Sequence, residues 1–313
     1  MTDPLRVAFY GAGQVGANAS AILRARGGFD VLGPHGRADR DRALRGGADV
    51  VVIATTSFLA EVAADVEAAV EAGSNVVTTA EEAAYPWAND AAIAGRLDAL
   101  ARSHGVTVLG TGLNPGFAFD ALVLTVCGVC PEVRALRVER VVDLSGFSAA
   151  VLRRIGVGHT PQEFEDGCRS GAITGHIGFP QSIRVVAGAM GVSIGEVERS
   201  IEPILAQTAL HADNLEVAPG RTAGFRQRYM ATTADGRPWF EALFTGHVEP
   251  AGAGLEPRDE IAVDATPPVR VTTTPGMDPQ TGSASIVANS VRRVAAAPPG
   301  WITVADLPPA IPR

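Results

Sequence analysis

Three glycines constrain this chain more than any other feature. Gly11, Gly13 and Gly16 stand between an apolar β-type run, Arg6–Tyr10, and an alanine-rich helical stretch, Gln14–Arg26. This is G-x-G-x-x-G at a strand-to-helix junction. The first glycine permits a tight turn, the second lets a pyrophosphate approach the backbone, and the third lets the helix sit close to the strand. The start of the helix, with Gln14 and Val15, adds unpaired N–H donors and a partial positive charge. Gly11, Gly13, Gln14, Val15 and Gly16 are therefore candidate contacts for a dinucleotide. The alternative, a glycine turn without a ligand, is weakened by the strand and helix on either side.

Beyond this junction the same alternation continues. β-type runs at Phe29–Leu32, Asp49–Thr55, Asn75–Thr79 and Thr107–Leu109 are separated by helical stretches at Leu59–Ala72 and Asp90–Ser103. Val50–Ala54 is continuously apolar, the pattern of a parallel strand covered on both faces. The expected fold is α/β, a Rossmann-type doubly wound parallel sheet. Between the second and third strands there is room for one or two helical turns at most, at Arg40–Arg45. After Asn114-Pro115-Gly116 the texture changes. A helix over Phe119–Val129 leads into β-type runs at Arg134–Asp143, Arg226–Thr233 and Ile261–Thr274, with helical stretches at Pro161–Ser170, Gln181–Met190 and Ile194–Gln207. We expect a dinucleotide-binding domain over 1–118, an α+β substrate and dimerisation domain over 119–282, and a C-terminal helix (Ala284–Ala296) and tail over 283–313 that return to the first domain.

Bulk properties exclude other classes. A net charge of −8 without a Lys/Arg cluster argues against nucleic-acid binding. The longest apolar stretch, Ala121–Val129, is far short of the roughly 20 residues of a membrane helix, and no signal-peptide pattern opens the chain. The expectation is a cytoplasmic protein. Cys127 and Cys130 form C-x-x-C at the end of an apolar helix rather than its start, which reads as a buried pair and not a redox site. Cys168 is isolated, and no metal-ligand spacing is present.

The acid that usually binds the adenosine ribose is missing. The second strand ends Gly33-Pro34-His35-Gly36-Arg37, with no carboxylate before Asp39. Arg37 or Arg40 could pair with a 2′-phosphate, so the cofactor reading leans to NADP, with NAD as the alternative; His35 lies on the same turn. Thr55, Thr56 and Ser57 follow the third strand and either touch the cofactor or cap the next helix. Thr79 closes the fourth strand, and Asn114 and Pro115 follow the fifth, where backbone and amide groups suit the carboxamide of nicotinamide.

Longer motifs carry a family resemblance: Thr78–Trp87 with its E-E-x-x-Y-P-W, Gly110–Phe117 with G-x-N-P-G-F and the following Asp120, Arg154–Gly158 with Phe164, Gly175–Gly178 with Gln181-Ser182, and the closing Ala297–Pro308. Together these resemble the dihydrodipicolinate-reductase-like group that contains 2,4-diaminopentanoate dehydrogenase and the native amine dehydrogenases. The resemblance implies NAD(P)-dependent oxidative deamination of an amine to a ketone or aldehyde plus ammonia, reversible as reductive amination, by a homodimer. It also implies that one of Glu81 and Glu82 is catalytic. A carboxylate there can hold an ammonium, take its proton and stabilise an iminium; Glu81, first after the strand, is preferred, while the other reading is a pair that simply starts a helix. Tyr85, Trp87, Arg154, His159 and His176 are the substrate-pocket candidates. Two departures bear on the substrate: Ser145–Arg154 is less basic than the family's segment, and Gly282 is followed by Ser283 rather than aspartate. Two other functions stay open at this point: NADPH-dependent reduction of a cyclic imine or dihydropyridine-type substrate, and a non-catalytic Rossmann redox sensor.

Overall fold

Val50–Ile53 is buried along its whole length, as a strand sandwiched between two helical layers must be. A computed structural model describes residues 3–213 and 215–312. The chain forms β1 (Leu5–Tyr10), α1 (Gln14–Arg26), β2 (Phe29–His35), α2 (Arg40–Arg45), β3 (Val50–Ile53), α3 (Leu59–Glu71), β4 (Asn75–Thr78), α4 (Ala91–His104) and β5 (Thr107–Gly110). It continues through α5 (Ala121–Cys127), β6 (Ala135–Asp143), α6 (Ala149–Arg154), α7 (Pro161–Ser170), α8 (Phe179–Met190), β7 (Ile194–Leu205), β8 (Leu210–Ala212), β9 (Leu215–Val217) and β10 (Thr222–Thr233). The last elements are β11 (Pro238–His247), β12 (Arg258–Asp264), β13 (Val269–Thr273), α9 (Pro279–Val294) and β14 (Gly300–Ile302).

Two compact units result. The first comprises residues 1–124, 180–191 and 278–313; the second, 125–179 and 192–277. Residues 180–191, expected in the second domain, thus group with the first, because the polar start of α8 is hydrogen-bonded there: Ser182 to Asp120 and Gln181 to Asn89.

The first unit is built on a six-stranded sheet in the order β14-β5-β4-β3-β1-β2. Every pairing in it is parallel. Alternate residues feed two cores: Ala8, Val51, Val76 and Val108 pack with α3 and α4, while Val7, Phe9, Val52 and Leu109 pack with α1 and α9. This is the doubly wound Rossmann-type arrangement, and strand order reverses between β1 and β3. In such sheets the crevice beyond the carboxyl ends of the strands at that reversal is the ligand site. β14 has no counterpart among the expected strands. Only three residues long, it becomes a strand by pairing Gly300–Ile302 with Thr107–Leu109.

The second unit carries a mixed sheet, β13-β12-β6-β11-β10-β7, in which β11 and β6 are parallel and the other pairs antiparallel. Here one expectation is corrected. Ile194–Gln207 reads as a helix because Ile194, Val197, Ile201, Ile204 and Leu205 recur at helical spacing, yet Ile194–Leu205 is the edge strand β7. Pro203 explains the outcome: it would break a helix interior, but on an edge strand its missing N–H is tolerated. The single run expected over Ile261–Thr274 is likewise two antiparallel strands, β12 and β13, because Pro267 and Pro268 cannot donate to a ladder. The final helix starts at Pro279, earlier than expected, since Asp278 caps it by accepting the Thr281 N–H at 2.6 Å.

Candidate active site

Parallel strands end on one edge, so the segments after β1, β3, β4 and β5 share that edge of the first unit. Gly11 has φ +114°, and a Cβ there would lie 2.1 Å from the Ala54 carbonyl oxygen; at Gly16 it would lie 2.3 Å from the Gly11 oxygen. Both positions are closed to any side chain. Around Gly13, in contrast, nothing lies within 4 Å of a Cβ. Gly13 caps α1 without any side-chain cap, and no acid stands in the first turn, so the N–H groups there are open to an anion. A closed turn, an open middle glycine and an uncapped helix start fit a dinucleotide pyrophosphate.

At the end of β2, the His35 carbonyl accepts the Gly11 N–H at 3.0 Å, which ties the two loops together. Arg37 is exposed and makes no ion pair among the described residues. Arg40 is committed elsewhere. Its Nε binds Asp65 at 2.6 Å, its Nη2 binds the Ala64 oxygen at 3.1 Å, and the Asp65 carboxylate raises the guanidinium's pKa further. Of the two arginines considered for a 2′-phosphate, Arg37 is the accessible one.

After β3, Thr55 is exposed, and Ser57 offers its carbonyl to the Glu82 N–H at 3.2 Å. The Thr56 hydroxyl donates to Glu61 and accepts the Phe58 N–H at 3.3 Å, so it organises the start of α3. After β4, the Thr79 N–H bonds the Ile53 oxygen at 3.0 Å. Glu81–Ala84 is one 3-10 turn that carries both glutamates. Glu82 Oε2 accepts the Leu59 N–H at 2.7 Å and so caps α3 from outside that helix. Glu81 is half-buried at the head of the turn. The turn is held from below: the Trp301 Nε1–H donates to the Ala83 oxygen at 3.1 Å, and Gly110 is so close that a Cβ would meet the Ala83 carbonyl carbon at 2.2 Å. Tyr85 and Trp87 come next, in edge-to-face contact with ring centroids 5.4 Å apart.

After β5, Thr111–Gly116 folds back on itself, with a cis peptide between Asn114 and the buried Pro115. Asn114 stands out chemically. Its side-chain nitrogen and oxygen are both screened from solvent and both lack a hydrogen-bond partner. Buried amides are seldom left so, and an open donor beside an open acceptor suits a ligand carboxamide. Asp120 and Ser182, quoted in sequence motifs but given no role there, meet beside this loop at 3.0 Å.

The other substrate-pocket candidates belong to the second unit. Arg154 is exposed in the last turn of α6. His159 is half-buried; its carbonyl accepts the Thr222 N–H at 2.8 Å and its Nδ1 has no partner. His176 lies between Phe179 and Phe244, with centroids 4.9 and 4.8 Å away, and its backbone exchanges hydrogen bonds with the Gln227 amide at 2.8 and 3.1 Å. Burial, helped by the Arg140 charge, pushes its imidazole down to about 3. The ring is therefore neutral near pH 7 and offers a hydrogen-bonding nitrogen rather than a charge. Burial, and then the neighbouring Cys130, push the Cys127 thiol up to about 11, far from the thiolate that redox chemistry needs.

Sheet order and glycine loop define a Rossmann-type dinucleotide-binding fold. The fold agrees with an amine dehydrogenase from Mycobacterium smegmatis, TM-score 0.85 at 24% identity over 98% of this chain and 97% of that one. A myo-inositol dehydrogenase from Lactobacillus casei, solved with NAD(H) and myo-inositol, matches with TM-score 0.56 at 13% identity over 96% and 90%. In sequence, the 2,4-diaminopentanoate dehydrogenase C-terminal domain matches residues 117–313. A 2,4-diaminopentanoate dehydrogenase from Acetoanaerobium sticklandii is 30% identical over 337 aligned positions, covering 99% of this chain and 95% of that protein. The chain belongs to the 2,4-diaminopentanoate dehydrogenase family, and it is an NAD(P)-dependent oxidoreductase acting on a CH–NH2 group. Among the described residues no helix is long and apolar enough to cross a membrane.

Proposed function

We propose that the protein catalyses reversible oxidative deamination of a small amine to a ketone or aldehyde plus ammonia, with NADP(H) as the preferred cofactor and Glu81 as the catalytic carboxylate. The observation that supports this reading is that Glu82 is taken up in capping α3 on the turn that follows β4. Glu82 is engaged with the Leu59 N–H as a helix cap, and Glu81, half-buried at the head of the same turn, is the carboxylate we read as catalytic. Gly11, Gly13, Gly16 and the N–H groups of Gln14 and Val15 would hold the pyrophosphate, Arg37 the 2′-phosphate, and Asn114 the carboxamide. When bound, nicotinamide supplies the hydride acceptor for deamination and the donor for the reverse direction.

The chain's own groups do the rest. Glu81 binds the substrate ammonium as an ion pair and takes a proton from it, since only the free amine has the lone pair that expels hydride from the α-carbon. The same carboxylate, once relieved of that proton, stabilises the iminium product electrostatically until water adds to it. Tyr85 and Trp87, in edge-to-face contact, form an aromatic wall on the same unit. A homodimer, on the strength of the family alone, and a cytoplasmic location complete the reading.

The test is NADPH oxidation with ketones and aldehydes, with and without ammonia, for wild type, Glu81→Gln and Glu82→Gln. Glu81→Gln should lose about 10²- to 10⁴-fold in kcat, and Glu82→Gln much less. Turnover that needs no ammonia and survives both substitutions would overturn the reading and favour a reductase of preformed imines.

A further inference from the structure

Asp120 is fully buried, yet it makes no ion pair among the described residues. Its carboxylate is met by three donors instead. Oδ2 accepts the Gly116 N–H at 2.7 Å and the Ser182 hydroxyl at 3.0 Å, and Oδ1 accepts the Ala121 N–H at 2.7 Å. Burial pushes its carboxyl above the ordinary carboxylate range, and these hydrogen bonds oppose that shift by stabilising the charge. A group kept only for packing would be apolar here, because a buried carboxyl brings a desolvation cost that an isosteric hydrocarbon does not. The three donors come from the end of the β5 loop, the start of α5 and the start of α8.

What this carboxylate grips is the loop that carries Asn114. Gly116 has φ +129°, and a Cβ there would lie 2.3 and 2.4 Å from the Gly112 nitrogen and oxygen, so the loop is doubled back tightly. On the other side of Asn114, the Leu113 N–H binds Ser283 Oγ at 3.3 Å, and the Leu113 carbonyl accepts the Ala118 N–H at 2.8 Å. The residues flanking Asn114 are therefore pinned, while both polar atoms of the Asn114 side chain remain buried and without a partner. An amide held rigidly with its donor and acceptor both open is the complement of another carboxamide, which presents one acceptor and one donor in a plane.

We propose that Asp120, acting with Ser182 through the Gly116 N–H, is a positioning residue that presents Asn114 to the carboxamide of the nicotinamide ring. The inference rests on the reading of Asn114 as a cofactor contact. Asparagine cannot replace Asp120, because its NH2 would face one of the donors that the carboxylate now accepts from.

The test compares binding of NADPH with that of its reduced 3-acetylpyridine analogue, in which a methyl ketone replaces the carboxamide. Affinities are measured by fluorescence titration on the purified full chain, and repeated with the non-phosphorylated pair. Wild type should prefer the carboxamide by about tenfold, the effect of one buried polar group left unpaired. Asn114→Ala should erase the preference, Asp120→Asn should cut it to within about threefold, and the double variant should match Asn114→Ala. Binding of 2′-phospho-ADP-ribose, which lacks the nicotinamide, should change less than twofold in Asp120→Asn. Ser182→Ala, which removes one donor of three, gives a smaller loss in the same direction and keeps the test open if Asp120→Asn fails to fold. If Asn114→Ala loses the preference while Asp120→Asn and Ser182→Ala keep it, Asp120 is only structural and the proposal is wrong. If Asn114→Ala itself keeps the preference, the cofactor reading of Asn114 falls first.

Discussion

Trp301→Phe is a sharp test of how the Glu81 turn is held. The indole is 3% exposed and lies in the core that includes Ala83, Leu97 and Val108. Its Nε1–H is a donor to the Ala83 carbonyl at 3.1 Å, and Ala83 sits two residues after Glu81 in one 3-10 turn. Phenylalanine removes that donor, which costs about 1–3 kcal/mol for a buried carbonyl left unsatisfied. The smaller ring also leaves a void, worth about 1–2 kcal/mol. Together we expect about 2–5 kcal/mol of lost stability, read as a lower urea midpoint at unchanged slope. The same change loosens the turn, and a misplacement of 1 Å at a reacting group can cost about 10²-fold; kcat should fall tenfold or more. Cofactor affinity should stay within about twofold, because Trp301 makes no hydrogen bond to the Gly11–Gly16 loop. Stability within about 0.5 kcal/mol of wild type, or a loss of cofactor binding in step with kcat, would refute the argument.

Gly11→Ala should abolish dinucleotide binding while costing about 1–2 kcal/mol or more in stability, since φ +114° and the Ala54 oxygen at 2.1 Å both exclude a Cβ; calorimetric titration with NADPH checks it. Arg37→Ala should lower the NADPH-over-NADH preference about tenfold or more, and Arg40→Ala should instead lower stability through its Asp65 pair; the ratio of kcat/KM values separates them. His176 has a folded pKa near 3 against an unfolded value near 6.5, so the unfolded chain binds the extra proton between those values. That contribution makes stability fall as pH drops through this window, by up to about 1.4 kcal/mol per unit. His176→Gln should flatten the dependence, and parallel urea-midpoint curves for the two proteins would contradict it.

The first unit is legible in the sequence because its signals are local and strong. The glycine loop, α1 at Gln14–Arg26 and the short α2 at Arg40–Arg45 follow from spacing and from breakers on either side. The features that are not legible depend on contacts distant in sequence. β7 mimics helical spacing, and its pairing with β10, together with the helix-breaking Pro203, makes it a strand. Gly300–Ile302 has no pattern of its own and is a strand because β5 offers it an edge to pair with. Position after the strand is all that favours Glu81 in the sequence; the bond that engages Glu82 comes from Leu59, 23 positions away. Arg40 is as suitable as Arg37 for a phosphate by sequence alone, and only Asp65, 25 positions on, takes its guanidinium away.

These long-range partners share a common logic. The residues assigned to cofactor and chemistry, from Gly11 to Asn114, lie in the first 114 positions, but the groups that stiffen their loops arrive later in the chain. Ser182 meets Asp120 beside the Asn114 loop, Ser283 accepts the Leu113 N–H, and Trp301 supports the Glu81 turn. The Arg102 guanidinium and the Asp98 carboxylate then fasten the last strand to α4, through the Pro299 oxygen and the Trp301 N–H. A Rossmann sheet made only of the first 118 residues would keep its glycine loop and lose all three supports. The proposed active edge is therefore completed only when α8, α9 and β14 return to the first unit. Substitutions in residues 180–191 and 278–302 should accordingly register as catalytic losses, although none of those residues touches a reacting atom in this mechanism.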